Sequence, residues 1–504
     1  MQYPKLVTDS AVLQEMNNLA VDKLRANVQR PFPVREEQLD MPLIVEGGGG
    51  YPGVWLESGP LNGLVYGRFF DVDVARANHR IFFLYQREDD AFPCWFIRGK
   101  VGFSQIQMVV PIAKTAWEFY ELTGESKFLE EAYSACSRWD GWLAGHRDSR
   151  GIDLVELFCE YDTGHDNSGR FTRLCPGLPK PCPEHDARNM PAVGTVPWLA
   201  PDLSATHYGG RVALAKMAAE LGRPDEAEVW TVKAERTRRS ILAYLFDPET
   251  LSFYDLDRNN RFQRIVSDVL SRVLCEHVVD QLLFDNIFER HIVSPHGFWS
   301  PYPMPSVALS DPLFNRDLPD NCWGGPAQGL TGVRAPRWFE HYGRPAELAH
   351  MMTRWLEAIG RQKEFRQQMN PWNGEISGCR DYSPTLCLTV DYISRLYGVR
   401  AETDRLEWNV RLPEGATRFA YSIETKRGQA ELRHEQGEAV LSLGGKNLLR
   451  VAGTGRVVTD LDGNPTALVG TELKPATFRL TRVEGGKVFE AELKPNESRS
   501  GGDL

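Results

Sequence analysis

Between about residue 60 and residue 400, amphipathic stretches with a helical period alternate with loops rich in Gly, Pro, Asp and aromatic residues. Leu61 to Gln86 is the first such stretch. In Ile106 to Thr123, the apolar Ile112, Ala116, Phe119 and Leu122 fall near one face, and Gly124 supplies a stop. Phe128 to Ala144 reads as the next helix. The same pattern predicts helices over Tyr208 to Leu221, Pro224 to Leu245, Val266 to Leu283, Gln328 to Tyr342, Ala346 to Ile359 and Ser383 to Tyr397. Gly222, Gly343 and Gly398 stand where helix C-termini belong. Helices joined in pairs by short links predict stacked hairpins. Roughly 340 residues is too much chain for one compact bundle. A closed ring of hairpins resolves this, because each neighbour covers the next one's apolar face. The long loops then gather at the ends of the ring, where functional residues concentrate.

The pattern changes after about residue 404. Leu406 to Pro413, Phe419 to Thr425, Ala430 to Arg433, Ala439 to Leu443 and Leu448 to Val451 alternate apolar and polar side chains between Gly-rich turns. Period-two alternation of this kind predicts antiparallel strands in a β-sandwich. The expected organisation is a mainly α domain over 1–404, a β-sandwich over 405–485 and a C-terminal tail over 486–504, with Ser498 to Leu504 disordered.

The chain has 504 residues, 42% apolar and 25% charged, an ordinary balance for a globular protein. Its net charge of −10 argues against nucleic-acid and anionic-lipid partners, both of which demand a basic surface. The first residues lack the basic-then-apolar order of a secretory signal, and no apolar run approaches a membrane span. Nine cysteines, an odd number, suit reduced thiols, so a cytoplasmic location is expected. Cys175, Cys182 and His185 suggest a zinc clip, but their spacing lacks the paired CxxC pattern, and a Pro-rich loop is the expectation. Neither a metal nor a cofactor is expected. Nucleotide-binding, zincin and Ser-hydrolase motifs are not found, and the Gly47 to Gly50 run reads as a flexible loop near the site. Oligomeric state is not legible.

One loop concentrates chemistry. Glu160 to Phe171 holds three acids, a His, an Asn, a Ser and an Arg around glycines. Composition alone allows a solvated Asx-rich turn. The run Asp162-Thr163-Gly164-His165-Asp166-Asn167-Ser168-Gly169-Arg170-Phe171 resembles the active-site loop of trehalases, mannosylglycerate hydrolases and family 63 α-glucosidases. The resemblance extends, in order, through Trp55, Glu57 and Ser58, then Gln86, Pro93 and Gln107, then Pro201 to Ser204, Leu245 to Asp255, and Asn321 to Pro326. It implies an (α/α)6 toroid that cleaves an α-linked glucoside or mannoside with inversion. It places the general acid at Asp166 and sugar-binding groups at Glu57 and along the loop.

Inversion needs an acid for the leaving oxygen and a base for water. In the resembled family the base is a Glu in a Phe-x-Glu-x-aromatic-Asn-Pro segment. The matching segment here runs from Phe365 to Pro371 and sets Gln367 at that position. An amide cannot take a proton from water. Three explanations stay open: a Glu-to-Gln variant that traps substrate, another carboxylate such as Glu375 or Asp381 as base, or a protein that only binds sugar. An (α/α)6 lyase or epimerase is a further alternative, disfavoured by the acidic charge.

Thirteen tryptophans and sixteen tyrosines suit a pyranose site, because sugar C–H faces stack on rings. Trp55, Trp95, Trp323 and Trp372 fall in predicted loops, whereas Trp117, Trp139 and Trp355 fall on helical patterns and read as core. Arg98 and Lys100, beside Trp95, could meet an anionic substrate or simply be surface charge. The expected site is Asp166 and Gln367 with Trp55, Glu57, Gln107, Asp162, His165, Asn167, Arg170, Trp323, Trp372 and Glu375 around a small carbohydrate.

Overall fold

The computed structural model describes residues 4–48 and 50–500. Among the described residues, twelve helices of seven residues or more carry the α-rich region: α1 (Ala11–Ala26), α2 (Gly59–Phe69), α3 (Val72–Leu84), α4 (Ile112–Thr123), α5 (Ser126–His146), α6 (Pro201–Glu220), α7 (Pro224–Tyr244), α8 (Val269–Cys275), α9 (Gln281–Ile287), α10 (Gly329–Phe339), α11 (Pro345–Gln362) and α12 (Ser383–Tyr397). The helices α2, α4, α6, α8, α10 and α12 touch one another in that order, and α12 returns to α2. This is a closed cycle of six. The intervening helices pack outside it: α3 on α2, α5 on α4, α7 on α6, α11 on α10 and α12, and α1 on α12.

Burial follows this arrangement. In α12 every residue but Arg395 is buried. The outer α11 buries one stripe, including Leu348, Met352, Trp355 and Ile359, and leaves Arg354 to a polar face. An amphipathic period therefore marks outer helices well and inner ones poorly. The predicted Leu61–Gln86 segment is two helices, split where Asp71 caps α3 by accepting from the Asp73 N–H. Val266–Leu283 likewise divides into α8 and α9. α4 begins at Ile112 rather than Ile106, and α6 begins at Pro201, seven residues before the predicted start. α1 lies before the region in which the periodicity was legible.

The C-terminal region is β-rich. Seven antiparallel strands form one sheet in the order Lys5–Thr8, Phe419–Thr425, Gly428–Glu435, Glu438–Leu443, Lys446–Gly453, Ala476–Arg482, Val488–Leu493. Five form a second, in the order Val399–Ala401, Arg405–Asn409, Arg456–Asp460, Pro465–Val469, Ser498–Ser500. Two corrections follow. The stretch expected as a tail supplies strands to both sheets, with Thr481 facing Val488 and Val469 facing Ser498; only 501–504 of it lie outside the described residues. The first sheet also takes its edge strand from residues 5–8, which pair with 419–422.

Ion pairs tie the two regions together, Arg400 to Asp391 of α12 at 2.6 Å and Arg456 to Glu340. Glu340, at the end of α10, accepts two hydrogen bonds from Arg456 of the second sheet, at 2.9 and 2.6 Å. Burial opposes ionisation of Glu340, but Arg456, Arg395 and Arg400 outweigh it and hold the carboxyl down at about 2. Arg456→Ala is expected to lower unfolding free energy by about 2–3 kcal/mol, below the range for a fully buried pair because 26% of the Glu340 side chain stays exposed. Because the folded-state pKa is depressed, this stabilisation is present above the ordinary glutamate range and fades as pH falls towards about 2. Urea titrations of both proteins at neutral pH and at pH 3 measure the difference, which should shrink at the lower pH.

Candidate active site

The loops that precede the inner helices converge. Glu57 lies just before α2, Gln107 before α4, Trp323 before α10 and Tyr382 before α12. Together with Glu46, Tyr51, Trp55, Trp95, Tyr161, Asp166, His185, Asn321 and Gln367 they line a cavity of about 350 Å³, within the range of small-molecule sites. Trp55 pairs with Trp95 across the antiparallel strands Gly53–Trp55 and Trp95–Ile97, so backbone pairing sets two of the tryptophans side by side.

Asp166 and Gln367 share one amide. Asn321 Nδ2 donates to Asp166 Oδ2 at 2.9 Å, and Asn321 Oδ1 accepts from Gln367 Nε2 at 2.8 Å. Two hydrogen bonds on one amide hold the two groups within roughly 8 Å. Gln367 Oε1 is buried and has no hydrogen-bond partner. Asn321 has φ +50°, a left-handed conformation that asparagine tolerates better than most residues. It is steadied by Asn167, itself at φ +58°, whose side chain donates to the Asn321 carbonyl at 2.8 Å.

Three carboxyls face the cavity, and burial lifts all of them. Asp166 rises to about 6, restrained by its bond from Asn321. Glu57 rises to about 8, with Glu46 and Asp166 adding repulsion. Glu46 rises to about 7, although the Ser58 and Tyr382 hydroxyls pull against the shift. Glu57 leans on the catalytic-type loop itself: a Cβ on Gly164 would stand 2.2 Å from Glu57 Oε2, and Gly164 also has φ +64°. Only glycine fits there. Tyr161 is pushed up to about 12 by burial and by Asp166.

Beneath the cavity lies a buried ionic frame. Arg170 bonds both oxygens of Asp202, at 2.8 and 2.9 Å, and both of Asp255, at 2.7 and 2.6 Å. Burial, then the Arg272 charge, lowers His165 to about 3, so the neutral ring accepts from Arg170 at Nδ1, at 2.9 Å. Trp323 sits against this frame, with its ring 5.1 Å from His165 and 5.1 Å from the Arg272 guanidinium.

The site therefore sorts the expected residues. Asp166, Gln367, Trp55, Glu57, Gln107 and Trp323 line the cavity. Asp162, His165, Asn167 and Arg170 do not; they are supports. Asp162 accepts from the Ile106 and Phe158 N–H groups and from Arg147, at 2.9, 3.0 and 2.6 Å, which fixes the loop. Arg170 is fully enclosed by its carboxylates and cannot reach a sugar. Trp372 is an exposed ring against Phe314, and Glu375 is exposed; neither lines the cavity. Asp381 pairs with Lys23 at 2.6 Å, away from the lining set. Of the residues not singled out, Asn321 was within reach, since it opens the Gly-Gly-Pro loop. Glu46 was too, as an acid closing the apolar run Leu43 to Val45. Tyr51 and Tyr382 carry no such signal.

The cysteine loop resolves differently from the zinc clip. His185 lines the cavity, while Cys182 joins Cys159 and Asp162, with donor atoms within 4.8 Å. Arg147 donates to Asp162 and lies 3.8 Å from Cys182 Sγ, so a guanidinium already fills the cation's place. The glycine run is fastened where it is described: Gly47 bridges to Tyr51 and Tyr382, and Gly49 lies outside the described residues.

A carboxyl-lined, tryptophan-walled cavity where the loops of paired helices converge is the setting of a glycoside hydrolase domain, and the family comparison assigns that class. A family model described as the mannosylglycerate hydrolase MGH1-like glycoside hydrolase domain matches residues 51–385, and the chain belongs to that family. No curated protein sequence matches the chain. Among solved structures, a GH63 mannosylglycerate hydrolase from Thermus thermophilus in complex with glucose is 19% identical, with TM-score 0.61, covering 75% of this chain and 100% of its own. The same enzyme with Tris and D-glycerate gives TM-score 0.60 at 19% identity, over 74% and 99% of the two chains. The neutral trehalase of Saccharomyces cerevisiae is 14% identical, with TM-score 0.52, over 70% and 73%. At these identities the likeness is one of fold.

Asp162→Ala is expected to strand Arg147 and several loop N–H groups and to cost about 3–5 kcal/mol. Thermal or urea unfolding measures it. Unchanged stability with lost sugar affinity would instead return Asp162 to the substrate.

Proposed function

We propose that the chain is an inverting glycoside hydrolase that releases an α-linked glucose- or mannose-type unit from a short oligosaccharide or glycoside. The observation that carries this reading is the Asn321 amide shared by Asp166 and Gln367. The upper limit it sets on their separation, roughly 8 Å, lies inside the window of about 6.5–9.5 Å that inverting pairs use to admit a water. The closed cycle of six inner helices supports an (α/α)6 toroid as the catalytic domain, and the two antiparallel sheets support a β-sandwich beside it. The Thermus neighbour, which binds glucose, favours a small sugar in a cavity of this size.

In this reading Asp166 is the general acid. Burial keeps its proton on up to about pH 6, so the carboxyl can protonate the leaving oxygen as the C–O bond breaks. Trp55, Trp95 and Trp323 offer faces to the pyranose. Gln367 stands opposite Asp166 through the bond from its Nε2 to Asn321, where a glutamate would serve as the base for the attacking water. The amide cannot accept the proton, so turnover with glutamine at this position is slow.

Gln367→Glu is expected to raise hydrolysis at least about 10²-fold, within the range a positioned base supplies. NMR should show the product first in the inverted anomeric form. Activity of that variant should fall tenfold per pH unit once Asp166 deprotonates, at a pH above the value of about 6 it has beside Gln367, because the new carboxylate raises it. Asp166→Asn should cut turnover by orders of magnitude on poor leaving groups, with the fold intact by circular dichroism. A Gln367→Glu protein that binds sugar and stays inactive would make the chain a sugar-binding protein, the reading that Gln367 itself otherwise favours.

A further inference from the structure

The lining of the cavity has a sign. Glu46, Glu57 and Asp166 face it, and among the described residues that line it no Lys or Arg side chain appears. The nearby cations stand outside that lining, although the charges of Arg272 and Lys180 are felt by Glu57 and Asp166. Arg272 is buried behind Trp323, donating to Asp268 and to the Thr163 carbonyl. Arg170 is saturated by Asp202 and Asp255. Lys180 is bonded to Asn167 Oδ1 at 3.0 Å. Arg98 and Lys100 are exposed at the turn of the hairpin that carries Trp95, outside the lining set.

At pH 8, above the values of Asp166 and Glu46 and at that of Glu57, an anion placed in this cavity would lose its hydration and meet like charges in a low-dielectric space, with no guanidinium or ammonium in the lining to bond it. A hydroxyl in the same place would find acceptors in the carboxylates and donors in Gln107, Tyr51 and Tyr382. Specificity of this kind rests on a repulsive element as much as an attractive one. Resting on the hydrolase reading above, we infer that the substrate portion held in the cavity carries no negative charge, and that the site selects against leaving groups bearing a carboxylate. The family's descriptive name pairs mannose with glycerate, so this chain would have turned the shared fold to a neutral glycoside.

Matched probes test it. α-Mannosylglycerate and α-mannosylglycerol differ only by a carboxylate in place of a hydroxymethyl group, as do α-glucosylglycerate and α-glucosylglycerol. Binding to the chain as it stands, followed by tryptophan fluorescence or calorimetry at pH 8, should favour the glycerol member at least tenfold in whichever sugar series binds. Glu57→Gln combined with Glu46→Gln, each an amide of the same shape, should narrow that ratio to below threefold in protein that still melts cooperatively. Equal or tighter binding of a glycerate glycoside overturns the inference. So does failure of both glycerol glycosides to bind, or a ratio unchanged in the double variant. If the neutral preference holds while Gln367→Glu fails to hydrolyse the preferred glycoside, the cleavage reading falls and the selectivity stands.

Discussion

A guanidinium enclosed as fully as Arg170 must be matched by carboxylates, because an unpaired charge there would consume most of a domain's net stability. The match is made from distant parts of the chain: Asp202 in the first turn of α6, Asp255 from the strand Asp255–Leu256, and neutral His165 from the loop itself. Arg272 of α8 repeats the device with Asp268 and Asp202. Once these groups are satisfied, the loop has one available path. Trp323 lies against the frame, its N–H donates to the Asp166 carbonyl at 2.9 Å, and Asn321 beside it reaches the Asp166 carboxyl. The reactive groups inherit their positions from charges that never meet the substrate.

This layering explains what the sequence disclosed. The resemblance of Asp162 to Phe171 to a glycosidase loop points to carbohydrate chemistry, and the order of motifs along the chain picks out Asp166, Glu57 and Gln367, which line one cavity. Sequence does not say which way a side chain points. Asp162 and Asp166 are both acids of one loop, yet the first turns inward to three loop N–H groups and Arg147, and the second outward to the cavity. Arg170 is drawn inward for the same reason. Trp372 and Glu375 follow Gln367 closely, but the turn after Met369, closed by Gly374 N–H to the Asn370 carbonyl, carries them away. Glu46 and Asn321 were passed over because their roles depend on partners more than ten residues distant.

The fold was legible wherever one face of an element meets water. α11 and α12 were placed closely, aided by Gly398 at the end of the latter. Segments buried on every side, such as the first half of α6, lose the period that would announce them. The tail was misjudged because Val488 to Leu493 buries only Leu493 and Ser498 to Ser500 is polar and exposed throughout. Their pairing follows from partners rather than from composition.

The strand Lys5–Thr8 pairs with Phe419–Thr425, and α1 behind it packs on α12. On a ribosome these early residues have nothing to pair with until some four hundred more have been made, a delay on the order of tens of seconds. The cycle α2 to α12 likewise has no last neighbour until α12 emerges. Synthesis therefore produces an open arc with apolar helix faces exposed at both ends, and the final act of folding is a long-range closure rather than the addition of one more hairpin. The nascent chain, more than the finished one, is the form that needs shielding from its neighbours.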